Sequence, residues 1–259
     1  MPLMRADQVL KLIRERRSTR SSFDPNRPVA KKDLQRILEA GSWAPTAHNM
    51  QNFEVIVVDD KEPLEAIANI EFPFSEAFVR ENYELLSFSE DELRMKKIGI
   101  LGTMFPPELR SPEAKLGLPK GKKVYSFQGR SIRTSPVLLV VVYNPAIRAP
   151  ASEGDFLGIM SLGCVMENMW LEAQSLGLAF HAVSALSGDL AVETEVKRIL
   201  NIPDGLKIAF GVRVGYPASS LGRYPRVRRN LEDFTHRNRF GSKDSDWATK
   251  ISQARHRTQ

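Results

Sequence analysis

Cysteine is nearly absent from this 259-residue chain: Cys164 stands alone. No intrachain disulfide can form, and thiolates cannot assemble a zinc or iron–sulfur centre. Cys164 sits among Leu162, Gly163, Val165 and Met166, with no basic side chain nearby in sequence to activate a thiol, so it is predicted to pack as a small apolar residue. Histidine is scarce too. His48, His181, His236 and His256 lack ligand spacing on any helix, and no metal site is expected. A phosphate-binding loop ending in Gly-Lys-Ser/Thr is missing, as is a Gly-x-Ser-x-Gly nucleophile elbow. Gly99-Ile100-Leu101-Gly102 has neither the spacing nor the strand context of a dinucleotide-binding turn. Long hydrophobic runs are also wanting. The most apolar stretch, about 156–178, is interrupted by Glu167, Asn168, Glu172 and Gln174, which predicts a buried helix rather than a membrane span. Met1–Asp7 carries no secretory signal pattern, so a cytoplasmic location without membrane association is expected.

Charge of one sign is lacking over most of the chain. The net +6 arises entirely from Arg223 onward, where 10 Arg and Lys face 4 Asp and Glu. A basic tail without aromatic platforms or a reading helix is a solvated or partner-binding arm, and no nucleic-acid partner is expected.

What is present is 42% apolar residues, enough for a substantial core. Residues 5–16 place Val9, Leu10, Leu12 and Ile13 on one face of an amphipathic helix, and 31–44 repeat the pattern with Leu34, Ile37, Leu38 and Trp43. The β-branched run 53–58 predicts a strand, and 136–143 one buried on both faces. Between 61 and 135 the pattern loosens, with short helices over 63–69 and 89–99 amid Pro106, Pro107, Pro112 and Pro119. Residues 153–178 form the longest helix, with Gly177 as its C-cap, serving as the spine of the core or of a subunit interface. A short strand over 180–185, a helix over 189–200 begun by Asp189 and a strand over 207–215 complete the pattern. The fold class is α+β: one domain over 1–240, with a variable lid or insertion at 61–130, and a polar basic tail at 241–259.

Two clusters carry chemistry. Arg16-Arg17-Ser18-Thr19-Arg20 offers three permanently charged forks and a hydroxyl within five residues, suited to a phosphate or an electron-rich ring edge. Pro45-Thr46-Ala47-His48-Asn49-Met50-Gln51 offers non-titrating hydroxyl and amide groups ahead of a strand. Their order resembles the FMN-dependent nitroreductase family, in which an Arg-x-Ser-x-Arg/Lys element closes the first helix and a Pro-Ser-x-x-Asn-x-Gln-Pro-Trp element precedes the first strand. Asn52 and Phe53 stand where Pro and Trp are commonest, and Asn52 is expected to loosen that turn. Gly215-Tyr216-Pro217 resembles a family strand end, followed at family spacing by the basic pair Arg226 and Arg228. The resemblance resumes from about 131 to 240 and leaves 61–130 unmatched.

The resemblance implies a nitroreductase-like α+β fold: a central mixed, mostly antiparallel sheet flanked by helices, a long buried core helix and an intertwined homodimer. It implies an FMN phosphate held by Arg16, Arg17 and Ser18 together with Arg226 and Arg228. Arg20 then lies at the N1 and C2-carbonyl edge, where negative charge develops on reduction. Pro45, Thr46, Ala47, Asn49 and Gln51 form a polar shelf near the cofactor or across the subunit boundary. The segment 183–188 offers a backbone N–H to the flavin N5, from Ala185 or Leu186. The expected activity is ping-pong hydride transfer from NADPH or NADH, through FMN, to a nitroaromatic, a quinone or a similar small acceptor. Alternatives are a specialised FMN dehydrogenase or dehalogenase of the same fold, or a flavin-binding protein with little turnover.

Overall fold

The structure, a computed structural model, describes residues 6–72, 81, 85–104, 127–150, 152, 154–218 and 225–243. The chain divides into two compact units, Met1–Pro73 with Gly121–Leu221, and Phe74–Lys120 with Gly222–Gln259.

The first unit is built on β4 (Val137–Tyr143), whose seven residues are all buried. Its Val-rich run has no polar side, so both faces must be covered, and they are. Antiparallel partners β1 (Glu54–Val58) and β6 (Lys207–Gly215) flank it, and β5 (Ala179–Val183) pairs antiparallel with β6 to give the order β1-β4-β6-β5. On one face lie α2 (Lys31–Ser42) and α6 (Phe156–Ser175), placing Leu34, Ile37, Val165, Met169, Trp170 and Ala173 against Val137, Leu139, Phe180, Val212 and Val214. The other face is covered by α3 (Lys61–Ala68), α5 (Phe127–Arg133) and α7 (Leu190–Leu200), through Leu64, Ile67, Ile132, Val192 and Val196 on Leu138, Val140, Val142 and Ile208. Full burial of each such side chain contributes roughly 1.5–3 kcal/mol before entropy is counted.

Helix ends follow the local chemistry. Asp189 accepts from Ala191 N and Val192 N and opens α7. Gly177, at φ +72°, closes α6 with Leu178 N donating to Ala173 O and Gly177 N donating to Gln174 O, the paired bonds of a Schellman motif. The helix α1 (Ala6–Glu15) has an apolar stripe but no buried residue: Val9, Leu10 and Ile13 face outward. The helix α6 is apolar on two sides. Beyond its buried face it exposes Phe156 (66%), Ile159 and Met160.

The second unit contains a two-stranded parallel pair, β2 (Ser87–Phe88) with β3 (Ile100–Leu101), joined through α4 (Glu90–Lys96), which a Ser89–Glu92 capping box opens. It also contains α8 (Leu231–Phe234), begun by reciprocal bonds between Asn230 and Asp233.

Several boundaries differ from the sequence expectations. The strand expected over 180–185 ends at Val183, because residues 184–186 turn into a 3-10 helix. The loosely patterned region contains α5, too short for its periodicity to stand out. The helix expected over 153–178 runs Phe156–Ser175. Of the expected lid at 61–130, residues 73–80, 82–84 and 105–126 lie outside the described residues, as do 244–259 of the expected tail, Arg5, Glu153 and His256.

A Cβ at Gly215 would lie 2.7 Å from Cγ and Cδ of the rigid Pro136 ring and 3.0 Å from Phe23 Cδ2. Gly215→Ala is therefore expected to cost about 1–3 kcal/mol by overpacking, read as a lower urea midpoint. An unchanged midpoint would show that Pro136 and Phe23 can yield.

Candidate functional site

The arginine cluster leaves α1 and runs along the exposed edge of β5. Ser18 forms a parallel bridge with Phe180, and Thr19 N donates to Phe180 O at 3.0 Å. This segment covers an otherwise open strand edge. Three further contacts fix it to α6. Trp170 Nε1 donates to Arg17 O at 3.2 Å, Arg16 Nε lies 3.1 Å from Glu167 Oε1, and the Arg16 guanidinium sits 4.2 Å over the Trp170 ring. Trp170 in turn stacks on Phe180 with ring centroids 5.0 Å apart. Arg16 is thus held by a carboxylate and an aromatic face. Among the described residues no carboxylate lies within ion-pair distance of Arg17 or Arg20, and burial lowers the pKa of Arg20. Arg20 is a half-buried cation without a carboxylate partner among the described residues.

Ala185 and Leu186 stand at the far end of the same strand, in the 3-10 turn Ser184–Leu186. The Leu186 side chain is fully buried and fills the space beside Gly211, where a Cβ would overlap Leu186 Cδ1. Five residues separate Phe180, beside Ser18, from Ala185. At roughly 3.3 Å per residue the two stations are no more than about 16 Å apart along one edge. That span suits an elongated ligand with an anionic end at the arginines and a ring end at the turn.

The polar shelf is docked elsewhere on α6. Ala47 N donates to Ser161 Oγ at 3.0 Å, Gln51 N to Thr46 Oγ1 at 3.2 Å, and Gln51 Nε2 to Asn49 Oδ1 at 3.1 Å. Pro45 is exposed at the start of this loop. Ser161 lies six residues from Glu167 and nine from Trp170, or roughly 9–14 Å along the helix axis. The chain therefore separates the shelf from its own arginine cluster. Its backbone is unusual: His48, Asn49 and Gln51 have φ of 51°, 53° and 46°. Asn tolerates this left-handed region, whereas His and Gln there need the surroundings to hold them. Asn52 provides that hold, which corrects the expectation that it loosens the turn. Its Nδ2 donates to Asn144 O and Ile147 O, both at 2.7 Å, and its Oδ1 accepts from Asn144 N at 3.2 Å. A proline could make none of these side-chain bonds.

Arg226 and Arg228 belong to the second unit and are exposed. Arg228 Nη1 donates to Val227 O at 2.7 Å, and the pair immediately precedes α8.

Sequence reasoning missed a buried polar group behind Arg20. Arg213 is fully buried in β6 directly opposite His181 in β5. Its Nη2 donates to Ser21 O at 2.9 Å and its guanidinium lies 4.2 Å over the Phe23 ring, while Nε and Nη1 have no hydrogen-bond partner among the described residues. Burial pushes the Arg213 pKa down to about 9. His181 is pushed down to about 3, by burial first and then by the charges of Arg213 and Arg20. Alternation offered a signal: Arg213 interrupts Val212 and Val214 in a strand whose neighbours cover both faces. Among the described residues no group of three or more His, Cys, Asp and Glu could hold a metal, and no helix is long and apolar enough to cross a membrane.

Comparison with known proteins places this arrangement in a family context. The family model described as the nitroreductase family matches residues 13–216. An NADPH-dependent oxidoreductase of Staphylococcus haemolyticus is 23% identical over 237 residues, covering 92% of this chain and 76% of that protein. Among solved structures, a nitroreductase with bound FMN from Bacteroides fragilis matches with TM-score 0.52 and 22% identity, over 86% of this chain and 96% of its own. An FMN-dependent nitroreductase from Clostridium difficile matches with TM-score 0.55 and 17% identity, over 89% and 99%.

The buried imidazole gives a pH test. His181 is neutral in the folded state down to about pH 3, whereas the unfolded chain takes up a proton below about 6.5. Stability is therefore unaffected by this group above about pH 6.5 and falls below it, by up to about 1.4 kcal/mol per pH unit, until the folded pKa is reached. Urea midpoints from pH 7 to 4 should fall less steeply for His181→Gln, and equal slopes would exclude the assignment.

Proposed function

The chain belongs to the nitroreductase family, and on that premise we propose that it is an FMN-dependent oxidoreductase passing hydride from NADPH or NADH to a small acceptor such as a nitroaromatic or a quinone. One observation carries the assignment: a cation-rich segment is bridged to one end of β5 and a tight backbone turn follows the other, and among the described residues Arg20 has no carboxylate partner. Bound FMN supplies reversible two-electron hydride chemistry, which no side chain of this chain can provide.

The residues divide the work by chemistry. Arg17 and Ser18 hold phosphate, with Arg16 stiffening the segment through Glu167 and Trp170, and Arg226 and Arg228 contribute the second basic element. Arg20 stabilises negative charge at the pyrimidine edge of the ring, its burial strengthening the field it exerts. Ala185 or Leu186 offers a backbone N–H at the turn. Donor and acceptor take turns on one ring face, which requires a ping-pong order. Residues 1–240 carry this function, with 61–130 supplying acceptor selectivity and the 241–259 tail standing outside the chemistry. NADPH is named for the staphylococcal relative and FMN for the two solved structures, which supports both as reactants here.

The functional unit is a homodimer. Val9, Leu10 and Ile13 on α1, and Phe156, Ile159 and Met160 on α6, leave two apolar stripes facing outward. The shelf of Pro45, Thr46, Ala47, Asn49 and Gln51, set apart from its own arginines, serves the partner's site.

Purified protein is expected to be yellow and to bleach anaerobically with NADPH or NADH. Arg20→Gln should keep FMN but show a lower reduction potential and slower bleaching. Colourless protein that takes up no FMN would overturn the assignment, and an unchanged potential would remove the role of Arg20. Sedimentation should give twice the 29.2 kDa chain mass, and Ile159→Glu should shift it toward the single chain. A wild-type monomer that retains FMN and turnover would refute the shared site.

A further inference from the structure

Behind Arg20, the buried Arg213 forms a cluster with His181, Ser21 and Phe23 within the first unit to which hydride transfer assigns no role. It collects positive charge in the interior with nothing of opposite sign: among the described residues no carboxylate lies within ion-pair distance of Arg213. We infer that the cluster is a binding site for one buried monovalent anion of halide size.

Three observations lead there. The first is the donor set. Arg213 Nε and Nη1 and His181 Nδ1 are buried and have no hydrogen-bond partner among the described residues, while Nη2 is engaged with Ser21 O. Open nitrogens on both sides of Nη2 leave either edge of the guanidinium fork able to receive an acceptor, and the imidazole of His181, opposite Arg213 in the strand register, has Nδ1 open as well. The second is charge. A guanidinium removed from water is stable only when something replaces its counterion, and the Phe23 ring face with one carbonyl does so in part. Burial as the sole cause of the lowered Arg213 pKa agrees with the absence of a charged partner.

The third observation is the number of donors. Three open nitrogens do not match the four oxygens of phosphate or sulfate, whereas one halide needs only a few N–H groups. A water molecule would meet the hydrogen-bond demand but leave the charge uncompensated, and the test separates the two.

This inference does not rest on the flavin assignment. Thermal unfolding of the full-length protein is followed in sodium bromide or chloride against sodium gluconate at equal ionic strength. Halide should raise the Tm along a saturable curve, as for any ligand that binds only the folded state, and Arg213→Met should abolish the response. Crystals of the wild-type protein grown in bromide should show an anomalous peak beside the Arg213 guanidinium. His181→Gln, which keeps the guanidinium, should raise the half-saturating halide concentration. Equal Tm in bromide and gluconate, a halide response that survives Arg213→Met, or a bromide map empty at Arg213 would each overturn the proposal. If Arg213→Met does not fold, the wild-type map decides alone.

Discussion

The docking of one short segment, Arg16 to Arg20, onto the edge of β5 is the constraint on which the arrangement of the candidate site depends. The Thr19–Phe180 hydrogen bond sets its register, and the stack of Arg16, Trp170 and Phe180 sets its orientation toward the long helix α6. Three kinds of interaction converge here, a backbone pair, an ion pair and an aromatic stack. Any one alone would be weak at a half-exposed edge. Together they turn a flexible, self-repelling run of three arginines into a fixed array, and preorganised charge is what a cofactor site needs.

The same docking explains why the cluster differentiates. Arg16 spends its charge on Glu167, whereas Arg20 keeps its own and is partly desolvated. The two are four residues apart in sequence and chemically unlike in the fold. Behind them the sheet buries a further cation, Arg213, facing a histidine held neutral. Positive potential is therefore a property of this whole corner of the first unit rather than of the surface loop alone.

Much of this was legible in the sequence where periodicity or a turn residue spoke clearly. The continuous apolar run of β4, Asp189 at the start of α7 and Gly177 at the end of α6 all act as their residue types dictate. The clusters at 16–20 and 45–51 stood out because charge or amide density there exceeded what a helix end or turn requires. Other features were hidden for physical reasons. Arg213 occupies a position that alternation assigns to one sheet face, and sequence does not say that this face is covered. Trp170 and Phe180 read as ordinary core, and their part in fixing Arg16 exists only across 154 and 164 residues of chain. The part played by Asn52 lies in carbonyls of a distant loop, at 144 and 147, which no local pattern around it reveals.

The left-handed backbone at His48, Asn49 and Gln51 bears on how this protein can be altered. A loop stored in that shape accepts glycine or asparagine readily and resists valine, isoleucine and threonine, whatever their contacts would be. Variation in this loop will therefore be filtered first by backbone geometry at these three positions. Useful diversity will come more easily from Thr46 and Met50, whose φ values of −119° and −67° any side chain can adopt.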